Sequence, residues 1–319
     1  MLARPPRSFL ARVTDAPYLL LALAALLWAG NIVLGRYVAG HIPPITLSTV
    51  RWIGATLIIF PFALPQIRRD LPLIRRSLPA LTLLAGTGIS TYNAMSYYGL
   101  QYTQAVNGLL MQSTAPLLVG VWSFVLYRDR LSMGQVAGIL ISLCGVVLII
   151  SRGDMDTLLH FTPNMGDIWI IVALFVYAFY TTMLRNRPQL GPLSFLTVIM
   201  GIGSVLLIPA TLIELSLGKT LVFNRETLSV LAYVMIGPSI IAYLAFNRGV
   251  ELVGANRAAP FLHLMPVFGT ALAILFLGEQ VAWFHFGGYA LVIGGITLAT
   301  LSARSGRKSP PTADENGPH

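Results

Sequence analysis

Ten long apolar stretches fill this chain of 319 residues, at 17–39, 45–65, 78–99, 105–127, 133–151, 166–185, 191–215, 227–247, 255–277 and 282–302. A bilayer core takes about 20 apolar residues per helical crossing, so each stretch is sized to span a membrane. The links between them are short. No room is left for a soluble catalytic domain, and whatever the chain does happens within or across the bilayer.

Composition agrees, with 55% of residues hydrophobic and only 10% charged. The formal charge of +9 does not point to nucleic acid, because basic residues in a polytopic protein mark cytoplasmic loops and no nucleic-acid motif occurs. A single cysteine, Cys144, excludes an intrachain disulfide and any cysteine-built metal site. Arg4, Arg7 and Arg12 before YLLLALAALLWA resemble the start of a signal peptide, but the apolar run continues to Val38 and reads as an uncleaved first helix.

Translocating a positively charged loop is disfavoured, so lysine and arginine set the orientation. With the N-terminus inside, 16 basic residues fall on the cytoplasmic side and five, Arg36, Arg51, Arg152, Lys219 and Arg225, fall outside. The expectation is an all-α membrane protein of the cell (inner) membrane, with ten crossings and both termini cytoplasmic. The link 152–165 is acidic, counting Asp154, Asp156 and the adjoining Asp167 with it, and it is external and divides the halves. Residues 303–319 form a polar tail, expected to be disordered.

The halves repeat. A shift of 150 residues lays YYGLQYTQAVNGLLMQSTAPLLV on NRGVELVGANRAAPFLHLMPVFG without a gap, setting Gly99 on Gly249, Ala105 on Ala255 and Pro116 on Pro266. The same shift sets Asp129 on Glu279 and Gly145 on Gly295, and a shift of 149 sets Arg36 on Arg185. The repeats are 16–151 and 166–302. Five crossings per repeat is odd, so the second must run through the membrane in the opposite sense. The arginines of YRDRLS and their absence from LGEQVA fit that inversion. Inverted repeats suit alternating access, since two near-equivalent halves can exchange conformations about a midplane site.

The motifs WAGNIVLGR (28–36), YYGLQYTQA (97–105), STAPLLVGV followed by YRDRLS, and GQVAGILISLCGVVLIISRGD (134–154) resemble the EamA branch of the drug/metabolite transporter superfamily. In the second half VGANRAAP, LMPVFG, FLGEQ and GGYALVIGG stand in corresponding places. The resemblance runs from about Ala16 to Leu301. It implies a ten-helix carrier of small metabolites, often directed outward, with amino acid exporters well represented; substrates in the family range widely.

Helical spacing nominates the substrate contacts, because positions three and four apart share a face. Ser90, Asn93 and Tyr97 form one stripe and Tyr243 with Asn247 another; Trp28, Asn31, Asn107, Tyr177 and Tyr180 add polar and aromatic groups from neighbouring spans. Exposing an amide to lipid is costly, so these groups line a cavity or a helix contact. Each is equally suited to interhelical hydrogen bonding. His263 is a candidate for proton coupling, with a neutral hydrogen-bonded imidazole as the alternative. Pro116 and Pro266 are candidate hinges or static kinks. Small residues at Gly134, Gly138, Ser142, Gly288 and Gly295 favour close packing of the fifth and tenth spans as a scaffold.

No GxxxxGK[ST] segment, HExxH or mid-span acid pair occurs, which argues against ATP use and intramembrane catalysis. No cofactor and no metal are expected; the expected partners are a small-molecule substrate and the lipid bilayer, with homo-oligomerisation open. Without a mid-span carboxylate the cargo is expected to be zwitterionic, neutral or aromatic. The reading is a secondary transporter, foremost an exporter of amino acids. The alternatives are an importer of a vitamin-like metabolite such as a flavin, or a lipid flippase.

Overall fold

In hydrocarbon no water is available to peptide groups, so an apolar chain must satisfy its own backbone, and a helix does this within one segment. The computed structural model describes residues 16–128, 132–154, 164–253, 261–262 and 264–305. Among these residues every regular element is helical. The first half comprises α1 (Pro17–Tyr37), α2 (Pro44–Arg76), α3 (Leu78–Ala85), α4 (Tyr92–Gly99), α5 (Ala105–Gln112), α6 (Ala115–Tyr127) and α7 (Met133–Ile150). The second comprises α8 (Met165–Met183), α9 (Pro192–Ser216), α10 (Arg225–Ile236), α11 (Ala242–Val253), α12 (Leu264–Leu277) and α13 (Trp283–Ser305). His263, most of the 152–165 link and the tail beyond Ser305 lie outside the described residues.

Local chemistry starts these helices. Pro17, Pro44 and Pro192 occupy first turns, where no amide donor is needed. Ser132 and Gln135 close a reciprocal capping box on α7, and the Asn164 and Asn224 side chains cap α8 and α10.

Five segments are long and apolar enough to cross a membrane: Pro17–Tyr37, Pro44–Arg76, Met165–Asn186, Pro192–Ser216 and Arg225–Val253. Helices α5 and α6 make a further path bent by 46°, with Pro116 in the first turn after the break. By contrast α7 and α12 are shorter apolar helices. The 78–99 run holds α3 and α4 joined by a π-helical turn, Gly86–Thr91, and a second π turn, Gly237–Ile241, joins α10 to α11. A shift of 149 sets Gly88-Ile89-Ser90 on Gly237-Pro238-Ser239, so both halves carry the same irregularity.

The packing is symmetric under exchange of the halves. Helix α2 packs on its counterpart α9, and α7 on α13. The contact of α1 with α11 has its counterpart in α8 with α4, and that of α1 with α12 in α8 with α6. The α7–α13 scaffold is glycine-mediated as anticipated. A Cβ on Gly145 would lie 2.6 Å from the Gly288 carbonyl, and one on Gly295 would strike the Gly138 carbonyl. Outward from these contacts stand Leu57, Phe62, Leu212, Leu275 and Phe286, the large apolar surface that lipid solvates.

Candidate functional site

An arginine lies at the centre of the bundle. Arg51 sits two turns into α2 and is 3% exposed. Its Nε donates to Ser239 Oγ at 2.7 Å. Its Nη1 is shared among Tyr97 Oη at 2.8 Å, Asn93 Oδ1 at 3.2 Å and Asn31 Oδ1 at 3.3 Å. Tyr97 Oη in turn donates to Asn31 Oδ1 at 2.7 Å. The guanidinium carbon lies 4.4 Å from the Trp52 ring centroid, a cation–π placement.

The π turns aim these acceptors. Ser239 belongs to the second turn and donates to Val234 O at 2.7 Å, leaving its lone pairs for Arg51. Asn93 follows the first; its amide nitrogen is tied to Ile89 O at 2.9 Å, which turns Oδ1 towards the guanidinium. Such turns widen a helix by one residue and recur at functional positions.

All these partners are neutral. Among the described residues no carboxylate comes within ion-pair distance of Arg51, and its Nη2 makes no hydrogen bond. A buried charge held by dipoles alone keeps an outward positive potential, because hydrogen bonds solvate the ion without neutralising it.

Beside Arg51 stands an aromatic wall. Tyr92 packs at a tilt on Tyr177 with centroids 4.4 Å apart, and Tyr177 packs on Tyr180 at 5.5 Å. Trp28 meets Tyr243 edge to face at 5.5 Å and donates from Nε1 to Pro238 O at 3.0 Å. Tyr92 and Tyr243 are in electrostatic reach of Arg51. Gln112 donates to the Tyr92 hydroxyl at 2.9 Å. The hydroxyls of Tyr177, Tyr180 and Tyr243 have no hydrogen-bond partner among the described residues, although none is sealed from its surroundings. The site therefore offers one cation and three free phenols, contributed by both halves.

Of the residues singled out from the sequence, Asn31, Asn93 and Tyr97 meet at Arg51, while Trp28, Tyr180 and Tyr243 form the wall. Asn107 lies elsewhere, bonded to Asp167 and His285. Asn247 is exposed. Pro116 follows the bend of the α5–α6 path, and Pro266 is buried in the first turn of α12. A cavity of about 600 Å³ lined by Arg36, Tyr37, Gln104, Glu279 and Gln280 opens at the α12–α13 connection, apart from the Arg51 cluster.

Counting Arg51 among external basic residues overlooked its place inside the apolar run 45–65, and that place was the available signal. Asp167, assigned to the external link, is the fully buried first-turn residue of α8. Ser239 is the repeat mate of Ser90 at a shift of 149, and that match is the signal that points to it.

Duplicated helical halves, packed symmetrically about a shared polar and aromatic site, define a membrane carrier. The chain belongs to the EamA-like transporter family, whose pattern matches residues 16–151 and 164–301. It is 27% identical over 289 residues to the uncharacterized transporter YyaM of Bacillus subtilis, covering 89% of this chain and 93% of that one. An uncharacterized transporter of Archaeoglobus fulgidus is 28% identical, covering 89% and 96%. An uncharacterized inner membrane transporter of Salmonella typhimurium, YicL, is 23% identical, covering 88% and 94%. A crystal structure 21% identical to this chain shares the fold with a TM-score of 0.62, over 92% of this chain and 99% of that one.

Proposed function

We propose that this transporter works by alternating access in the inner membrane, with ten crossings, inverted halves and both termini cytoplasmic, and that it exports small carboxylate-bearing metabolites, amino acids foremost. The observation that carries the cargo reading is Arg51, a buried cation with no carboxylate partner among the described residues. An amino acid would bring the missing anion. Its carboxylate would take the free Nη2, its ammonium the phenol oxygens, and its side chain the faces of Tyr92, Tyr177 and Tyr243. The pocket is cationic at one end, and a zwitterion, which the lack of a mid-span carboxylate also favours, suits it. Exchange-symmetric packing and an odd number of runs per half support the inverted arrangement.

The test is uptake into proteoliposomes of labelled phenylalanine and leucine, set against phenethylamine, which lacks the carboxylate. Transport of the amino acids and rejection of the amine is the expected result. Equal transport of the amine, or movement only of a flavin or a lipid, would sink the reading.

A further inference from the structure

A second polar cluster lies away from Arg51, where the connection into α5 and the first turns of α8 and α13 meet. Thr103, Asn107, Asp167 and His285 are each 3% exposed or less. The hydrogen bonds between them run in one direction. The Ala282 N–H donates to His285 Nδ1 at 2.9 Å, so Nδ1 is an acceptor and the neutral ring carries its proton on Nε2. Nε2 donates to Asn107 Oδ1 at 3.1 Å. The Asn107 amide donates to Thr103 Oγ1 at 3.1 Å and to Asp167 Oδ1 at 3.4 Å. The Thr103 hydroxyl donates to that same Asp167 oxygen. The chain therefore ends on Oδ1, while Asp167 Oδ2 is buried with no partner.

An ionised carboxylate shares its charge between both oxygens, and burying one of them bare is expensive. A carboxylic acid costs less here because the bare oxygen then carries no net charge, with the hydroxyl on Oδ2 and a carbonyl Oδ1 left to accept. The charged groups around the cluster do not supply a counter-ion at contact. Arg152, at the end of α7, is in electrostatic reach of both Asp167 and His285 but forms no salt bridge with Asp167. Glu279 adds negative charge at the start of α5, where it accepts from the Ala105 and Val106 amides. The Tyr98 and Tyr102 phenols, at the end of α4, bond to each other. A shift of 149 sets Asp167 on Tyr18, so the first half has no equivalent acid.

We propose that Asp167 is a proton-binding site that operates one end of the carrier. It holds a proton on Oδ2 while α5, α8 and α13 are closed around it. When that end opens to water, the O–H bond breaks, the proton passes to a water molecule, and solvent donors take up both oxygens of the carboxylate. Closing runs the step in reverse. Acid thus favours the closed end and alkali the open one. The inference rests on alternating access, but not on the identity of the cargo.

Its test needs no cargo, so its failure is distinguishable from failure of the amino acid reading. Infrared spectra of the purified protein at about pH 7 should contain the C=O stretch of a buried carboxylic acid, absent from Asp167→Asn. Thr103→Val, which removes a donor to Oδ1 but keeps the acid, should raise that stretch in frequency. In a Cys144→Ser background, a cysteine at Ala105, which is fully buried in this structure, reports opening through an impermeant thiol reagent. Dividing its labelling rate by that of the Asp167→Asn protein at the same pH cancels the thiol's own titration. The ratio should be about 1 at pH 5 and at least about fivefold higher at pH 9, as linkage to one buried acid requires. A missing acid band, a band that survives Asp167→Asn, a stretch unmoved by Thr103→Val, or a flat ratio would each overturn the proposal.

Discussion

Glu214, in the last turn of α9, receives the Thr46 backbone N–H at 2.7 Å and the Thr46 hydroxyl at 2.8 Å, with the Ile45 N–H at 3.3 Å. A shift of 148 sets Ile45, Thr46 and Gln66 on Leu193, Ser194 and Glu214. The mirrored bonds are present: Gln66 in α2 accepts the Leu193 and Ser194 amides at 3.2 and 3.3 Å, and Asp70 accepts that of Gly191 at 2.8 Å. Each of the two long helices thus caps the start of the other, satisfying amides that lipid would leave bare.

Replacing Glu214 by alanine should destabilise the protein by about 1–3 kcal/mol, because a charged, buried cap is lost and two amides are orphaned. Gln66→Ala should cost less, its bonds being neutral and longer. Thermal unfolding in detergent, where the two variants are ranked side by side, checks the order. A Gln66→Ala protein less stable than Glu214→Ala would contradict it.

Arg51→Leu should abolish amino acid transport and, by leaving the buried Asn93 Oδ1 and Ser239 Oγ without their donor, should also lower stability by about 1–3 kcal/mol. Arg51→Lys should retain weak transport, as an ammonium supplies charge without the planar fork. Initial rates in proteoliposomes and melting temperatures measure the two effects separately. A leucine variant that transports normally would remove Arg51 from the site.

Tyr177→Phe and Tyr243→Phe remove hydroxyls that bond to no described residue, so stability should change by no more than about 0.5 kcal/mol. Transport should nevertheless fall, with the loss in apparent affinity for the amino acid. Alanine at either position also removes the ring face and should weaken phenylalanine more than glycine. If the phenylalanine variants melt far below the parent, the hydroxyls have a structural role instead.

The orientation predicts opposite behaviour for cysteines placed at Ser132 and Gln280 in Cys144→Ser. Gln280 should react with an impermeant thiol reagent from outside intact cells, and Ser132 only after the inner face is exposed. Labelling of both from one side would remove the inverted arrangement.

Much of the fold was legible because lipid leaves so little choice. Each apolar run contains helix wherever it is described, the repeat register reappears as exchange-symmetric packing, and the glycine stripes of α7 and α13 meet as expected. The site was legible only in part. Helical spacing singles out Asn31, Asn93 and Tyr97, which the structure sets around Arg51, but a tally of charges by loop ignores depth and puts Arg51 outside. The same spacing argument nominates Asn107, whereas the fold sends it to Asp167 and His285.

From the sequence alone came the helices, their duplication and the family resemblance, since these follow from hydrophobic length and register, properties read along one chain. Tertiary structure alone decided which polar groups meet. Ser239 reaches Arg51 across 188 positions and His285 reaches Asn107 across 178. Hydrogen bonds act over about 3 Å, so a difference of a single residue, such as the extra one in each π turn, redirects a side chain and decides which partner it finds.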